Sequence, residues 1–280
     1  MSKLLALLVA AAVAALVAGS GTAATTPHRI VSLSPTATET LYAIGAGDQL
    51  LAVDSASDYP KAAVAKKTNL SGFTPNAEAI AGYKPDLVVL SFDSKGIVAA
   101  LRNLKLRVLL LEPAKDLPDA YAQIQQLGQA TGHTAEAAKL VQQMKTRIAA
   151  LVKSVSRTRG KTYFHEIGPQ LYSATSKTFI GKVYTLFGLK NIADAADSSG
   201  SGYPQLSSEY VISANPDLIV LADITCCGMT LAKVAARPGW SQLKAVRTYS
   251  IVRIDDSIGA RWGPRIVNFV KALATALNRL

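Results

Sequence analysis

The stretch Glu78-Ala-Ile-Ala-Gly-Tyr-Lys-Pro-Asp-Leu-Val-Val-Leu90 recurs about 130 residues later as Glu209-Tyr-Val-Ile-Ser-Ala-Asn-Pro-Asp-Leu-Ile-Val-Leu221, and in both copies the glutamate stands seven positions before the proline. Such a repeat predicts two similar lobes. In each copy a polar residue, Asn76 in the first and Ser207 or Ser208 in the second, is placed to cap a short helix that the glutamate begins. Lys84-Pro85 and Asn215-Pro216 end that helix, because the residue before a proline is pushed out of the α region, and an apolar strand follows. Each glutamate is left exposed near a helix N-terminus, where negative charge is favoured. One acidic knob per lobe reads as a clamp whose two halves are gripped by a two-fold partner.

Working outward, short apolar strands alternate with helical segments from Arg29 onward, the pattern of an α/β fold with mostly parallel sheets. The expectation is two Rossmann-like lobes with a ligand cleft between them. In the first lobe, Ile30 to Leu33, Leu50 to Val53, Leu87 to Leu90 and Val108 to Leu111 are strands, while Thr36 to Ile44 and Gly96 to Leu104 are helices. The second lobe has strands near Lys161 to Phe164, Leu218 to Leu221 and Ser250 to Ile254, with helices Phe179 to Phe187, Leu231 to Ala236 and Pro264 to Leu280. Between them Ala137, Leu140, Val141, Met144, Ile148, Leu151, Val152 and Val155 recur at spacings of three and four, one apolar stripe on a helix from about Thr134 to Ser156. At 1.5 Å per residue such a helix is about 35 Å long, enough to join two lobes rigidly. The domain expectation is therefore an N-terminal lobe over 27–132, a backbone helix over 133–158 and a C-terminal lobe over 159–280.

Composition fits this plan. The chain has 280 residues, 49% of them hydrophobic, so it can bury a large core. Its formal charge of +11 is scattered, without a basic run or an interleaved aromatic platform, and no nucleic-acid partner is expected. Lys3 followed by the apolar stretch Leu4 to Val17 and small residues through Ala24 reads as a cleaved secretory signal over 1–26, placing the chain outside the cytoplasm. No Cys stands just after that stretch, so a lipid-attachment signal is missing.

Arg29-Ile-Val-Ser-Leu-Ser-Pro-Thr-Ala-Thr-Glu39, Ser57-Asp-Tyr-Pro60, the two Pro-Asp-Leu repeats, the middle helix and Trp262-Gly-Pro-Arg265 together resemble the extracytoplasmic solute-binding proteins of ABC importers. The resemblance is to the helical-backbone class that carries cobalamin, haem and ferric siderophores, closest to the cobalamin branch, and it spans nearly everything after residue 28. It implies a monomer that takes a small-molecule metal chelate to a membrane permease dimer, with no cofactor required and no reaction catalysed. It also implies that Glu78 and Glu209 pair with permease arginines. Cobalamin is the expected ligand, with a ferric siderophore or haem as the alternative. An extracytoplasmic sensor or redox enzyme is the alternative of another class.

The ligand is expected at the carboxyl ends of the strands. Ser34, Pro35 and Thr36 offer hydroxyls and a helix N-terminus to an acidic group, or ordinary capping. Phe73 and Phe92 stand on loops where aromatic rings can stack against a macrocycle or a catecholate, with packing in the lobe core as the other reading. His165 is a candidate ligand for a chelated metal, with a structural loop histidine as the other reading, and Tyr172 follows it by a few residues. Tyr203 stands where the cobalamin branch carries a Trp. Of the two arginines flanking Trp262, the resemblance favours Arg261 for the ligand and leaves Arg265 for a structural ion pair. Ala56 and Leu70 replace aromatics of that branch, so the wall for a corrin is incomplete. With three histidines, His28, His133 and His165, a histidine cluster for manganese or zinc is not expected.

Cys226 and Cys227 are adjacent on an expected cleft loop. Neighbouring Cα atoms are about 3.8 Å apart, short of the usual disulfide range, yet export favours oxidation. A vicinal disulfide would form a rigid apolar knuckle; two free thiols or a thiolate contact to metal are the other readings. The chain shows no Gly-x-Ser-x-Gly elbow, no phosphate loop and no His-Glu-x-x-His motif, and adjacent cysteines are not a Cys-x-x-Cys redox pair.

Overall fold

The computed structural model describes residues 26–156 and 158–280, so the proposed signal segment lies largely outside the described residues. Among these residues the strands form two four-stranded sheets, all parallel. The first comprises β1 (Ile30–Leu33), β2 (Leu50–Val53), β3 (Leu87–Leu90) and β4 (Val108–Leu110) in the order β2-β1-β3-β4. The second comprises β5 (Thr162–Glu166), β6 (Lys190–Asn191), β7 (Leu218–Leu221) and β8 (Ile251–Arg253) in the order β6-β5-β7-β8. The two orders are the same, and the repeated Leu-x-Val-Leu segments are the third strand of each.

The helices of the first lobe are α1 (Pro35–Ala43), α2 (Lys61–Val64), α3 (Ala77–Gly82), α4 (Ile97–Asn103) and α5 (Leu117–Thr131). α6 (Thr134–Lys153) follows, and the second lobe carries α7 (Phe179–Thr185), α8 (Ser208–Ala214), α9 (Leu231–Ala235), α10 (Lys244–Arg247), α11 (Asp256–Ala260) and α12 (Ile266–Leu277). α5 is absent from the sequence reading, although Asp116 caps it by accepting from the Asp119 N–H and Gly132 closes it at φ 80°.

α3 and α8 begin alike. Asn76 Oδ1 accepts from the Ala79 N–H at 2.7 Å and Ser207 Oγ from the Tyr210 N–H at 3.1 Å, which makes Glu78 and Glu209 the second residue of their helices. Lys84 and Asn215 leave the α region before their prolines by turning left-handed, at φ 50° and 41°. Because each short helix runs back along its sheet to feed a parallel strand, its N-terminus lies on the side where the strands end.

α6 is shorter than expected, at 20 residues with Ser154 as its C-cap, and is therefore about 30 Å long. It packs on α5 from the first lobe and on α12 from the second. Ala137, Val141, Met144 and Ile148 are its buried residues, and they belong to one core cluster with Leu127 of α5 and Phe269, Val270 and Leu273 of α12. The join between the lobes is thus apolar and continuous rather than a loop. Met144→Ala should open a cavity at this join and destabilise the protein by about 2–4 kcal/mol, measured by chemical denaturation.

Candidate functional site

The carboxyl ends of both sheets are lined by polar residues that the fold buries. In the first lobe Ser32, Ser34, Thr38, Asp54, Ser57 and Ser91 are all buried and bonded to one another. The Ser91 hydroxyl donates to Ser34 Oγ at 2.6 Å, the Thr38 hydroxyl to Ser32 Oγ at 2.9 Å, and the Ser57 hydroxyl to Asp54 at 2.7 Å. Burial raises the Asp54 carboxyl above its ordinary range, against the opposing pull of the Ser57 hydroxyl and Arg261. Ser34 also accepts from the Ala37 N–H at 3.2 Å, so its hydroxyl caps α1. Ser34 and Thr36 are buried, and together with Pro35 they serve the helix start and the junction between lobes, not an anion in an open cleft.

That junction is made by the segment Arg261–Arg265, which reaches from the second lobe onto the first. Glu39 of α1, with its side chain 1% exposed, accepts from Arg261 Nη1 at 2.7 Å, from Arg265 Nε at 2.8 Å and from Arg265 Nη2. Arg261 also donates to Asp58 at 2.6 Å and to the Ala56 carbonyl at 3.0 Å. Trp262 Nε1 donates to Gln123 Oε1 of α5 at 2.9 Å, and Arg265 stacks over the Tyr59 ring at 4.3 Å. The expectation that Arg261 faces a ligand is corrected here: its Nη1 and Nη2 groups are held by two carboxylates and a carbonyl, while Arg265 is held by Glu39 and the Ser257 hydroxyl. A cavity of only about 10 Å³ remains between Ser34, Thr36, Leu111 and Trp262. These contacts set the strand ends of the two lobes against each other.

His165 is the second correction. It is the fourth residue of β5 and fully buried; its Nδ1 lies 2.6 Å from the Tyr184 hydroxyl, and Phe269 packs edge-on against its ring. Burial pushes the imidazole down to about 3, so it is a neutral core group out of reach of a chelated metal. The next residue, Glu166, points the other way and takes both guanidinium nitrogens of Arg237, one at 2.8 Å. Asp223, just past β7, is fully buried beside Glu166 with neither carboxylate oxygen bonded. Burial and the Glu166 charge push it up to about 7. Among the described residues no group of three or more His, Cys, Asp and Glu is arranged to hold a metal ion.

The exposed residues around these floors are aromatic. Phe73 and Phe92, 70% and 37% exposed, stack with ring centroids 5.5 Å apart. Phe73 is held there by Gly72, where any side chain would place its Cβ 2.4 Å from the Leu33 carbonyl oxygen. In the second lobe Tyr172 and Tyr203 are about half exposed, and their segments run side by side through Ser173 N–H to Pro204 O at 2.9 Å and Thr175 N–H to Gly202 O at 2.8 Å. Cys226 and Cys227 form a vicinal disulfide, and the Asp256 carboxylate fixes its loop by accepting from the N–H groups of Thr225 at 2.9 Å and Cys226 at 2.6 Å. A groove of about 530 Å³ along Tyr249, Ile251, Lys271 and Arg279 lies by the start of β8, at the wrong end of the sheet for these loops.

Glu78 and Glu209 are exposed. The Glu209 carboxyl is lowered by hydrogen bonds from its own backbone N–H and from the Ser207 hydroxyl, so it stays ionised. Glu39, Arg237 and Asp223 were not among the expected site residues; a lone acid in the otherwise uncharged helix Pro-Thr-Ala-Thr-Glu-Thr-Leu-Tyr-Ala was the available signal for the first.

Two parallel-sheet lobes joined by one helix, with functional loops facing each other at the strand ends, define a solute-binding protein. The chain belongs to the periplasmic binding protein family, whose model matches residues 30–258. It is 32% identical over 260 residues to a Bacillus subtilis protein named as an uncharacterized ABC transporter substrate-binding lipoprotein, covering 90% of this chain and 80% of that one. It is 30% identical over 265 residues to a cobalamin-binding protein of Halobacterium salinarum, covering 90% of this chain and 70% of the relative. The crystal structure of the periplasmic vitamin B12 binding protein BtuF of Vibrio cholerae superposes with a TM-score of 0.76 at 27% identity, covering 90% and 96% of the two chains. The protein is therefore an ABC-transporter substrate-binding protein, and not an enzyme.

Glu39→Gln should leave two partly buried guanidiniums short of charge and cost about 3–5 kcal/mol. The loss is measured by denaturant unfolding, with Glu136→Gln on exposed α6 surface as a control that changes little.

Proposed function

We propose that this protein captures cobalamin between its lobes outside the cytoplasm and delivers it to a membrane permease dimer. The observation that carries the ligand reading is the presence of exposed aromatic residues on both lobes at the strand ends, Phe73 with Phe92 on one and Tyr172 with Tyr203 on the other. Flat, weakly polar faces of this kind suit a macrocycle, and the Cys226–Cys227 knuckle adds an apolar contact beside them. The identity to the cobalamin-binding relative points the same way. Haem or a ferric siderophore is the second reading, favoured by the exposed phenols of Tyr172 and Tyr203, since a tyrosine oxygen can ligate ferric iron.

Docking is assigned to Glu78 and Glu209. They occupy the same position in two equivalent helices, exposed on the side where the cleft loops gather, and two permease arginines would meet one each. The sequence over 1–26 supports export.

Cyanocobalamin should co-elute with the chain lacking residues 1–26 and quench its tyrosine and tryptophan emission at a one-to-one ratio. Capture of haem or a ferric siderophore with no response to cobalamin would move the cargo to iron. The double variant Glu78→Ala, Glu209→Ala should bind cobalamin as the parent does while uptake through the reconstituted permease falls by at least about tenfold. Unchanged uptake would remove the docking assignment.

A further inference from the structure

Charge is divided unevenly between the two ends of the second lobe. Over 159–280 every Asp and Glu except Asp217 ends or follows a strand or opens a helix, so the acids gather at the end that carries the cleft loops. The opposite end, where strands start and helices finish, is cationic. Arg159 precedes β5, Lys190 begins β6, Arg247 closes α10 before β8, and Arg279 lies just past α12. These four, with Lys153 at the end of α6 and Lys271 on α12, are exposed, and among the described residues none of them is in an ion pair. Asp217, the acid at this end, is already shared by Lys161 and Lys244.

A positive charge is favoured at a helix C-terminus on its own account, which covers Lys153, Arg247 and Arg279 in part. It does not cover the apolar groups that stand among them. Tyr249 is 83% exposed on left-handed backbone at φ 55°, Leu186 follows α7 at 36% exposure, and Leu280 follows Arg279 at 38%. Between Tyr249 and α12 runs the groove of about 530 Å³, with Lys271 and Arg279 on its helix wall and Thr248, Ser250 and Asn268 as further polar groups. Unpaired cations, an open groove and large exposed apolar side chains therefore share one end of the lobe. A soluble polyanion would use the charges alone. A lipid surface uses both, because aromatic and aliphatic side chains sink below the headgroups while cations meet the phosphates.

We propose that this end of the second lobe docks on an anionic phospholipid bilayer, with a phosphate headgroup seated in the groove between Lys271 and Arg279. Glu209 and the cleft loops lie at the other end of the strands, so the cleft opens away from the lipid whatever chelate it holds. Docking of this kind holds the protein beside the bilayer by charge and shallow insertion, and transfer to the permease requires it to lift off.

The test is co-sedimentation of residues 26–280, which contain both sheets and every described helix, with lipid vesicles. In low salt the protein should bind vesicles of equal parts phosphatidylglycerol and phosphatidylcholine at least about tenfold more tightly than pure phosphatidylcholine, and high salt should remove most of that difference. Arg247→Gln, Lys271→Gln and Arg279→Gln together should weaken the binding at least about tenfold, and Tyr249→Ser about threefold. Removal of three exposed cations elsewhere, by Lys61→Gln, Lys67→Gln and Lys139→Gln, should change it little. Equal loss in the two triple variants would mean that net charge alone is read, and overturns the proposal. Release by inorganic phosphate, at an ionic strength where chloride releases nothing, would assign the groove to free phosphate and overturns it as well. Hydrogen exchange on the vesicles should protect 247–253 and 271–280; protection of the cleft loops over 71–74 and 201–206 instead would contradict it.

Discussion

A single buried carboxylate ties the two halves of this molecule together. Glu39 comes from the first helix of the first lobe, and both of its partners, Arg261 and Arg265, come from near the end of the chain. With the acid 1% exposed and the arginines 14% and 13% exposed, the charges hold one another in place of water. Such a group is weak evidence for net stability, since its desolvation offsets much of the attraction, but it fixes geometry sharply. Two guanidiniums converge on one carboxylate only when the lobes stand in one relation. Arg261 adds Asp58 and the Ala56 carbonyl, and Trp262 adds Gln123, so a short strap from the second lobe is fixed to α1, the loop after β2 and α5 of the first.

α6 provides the apolar half of the same constraint. Its buried stripe is shared between α5 and α12, so parting the lobes exposes core rather than extending a linker. The buried hydroxyls under β1 and β3 and the Glu166–Arg237 pair under β5 serve the same end, since they leave aromatic and disulfide surface at the rim and use the polar groups to stiffen the floor.

Much of this was legible in the residues. The Pro-Asp-Leu repeat located β3 and β7 and the two short helices before them, because a proline forces the break and a buried parallel strand reads as an unbroken apolar run. The middle helix followed from its stripe, although its end at Lys153 came earlier than the apolar pattern implied, because Val155 still packs on the core after the helix has stopped. The site was less legible. Ser34, His165 and Arg261 carry the chemistry of ligand contacts, and each is turned inward by a partner far away in sequence: Ser91, Tyr184 and Glu39. Periodicity reports which face of an element is buried but not which distant polar group waits there. α5 escaped because Tyr121, Ile124, Leu127 and Thr131 form a thin stripe among glutamines, too mixed to stand out without the partner helix.

Hydrogen exchange, with and without saturating cyanocobalamin, tests the central claim that the ligand is held between the strand ends of the two lobes. The account predicts new protection at the loops over 71–74, 91–96, 201–206 and 225–229, drawn from both lobes, with the outer groove beside β8 and α12 unchanged. Protection confined to one lobe, or centred on that outer groove, would contradict it.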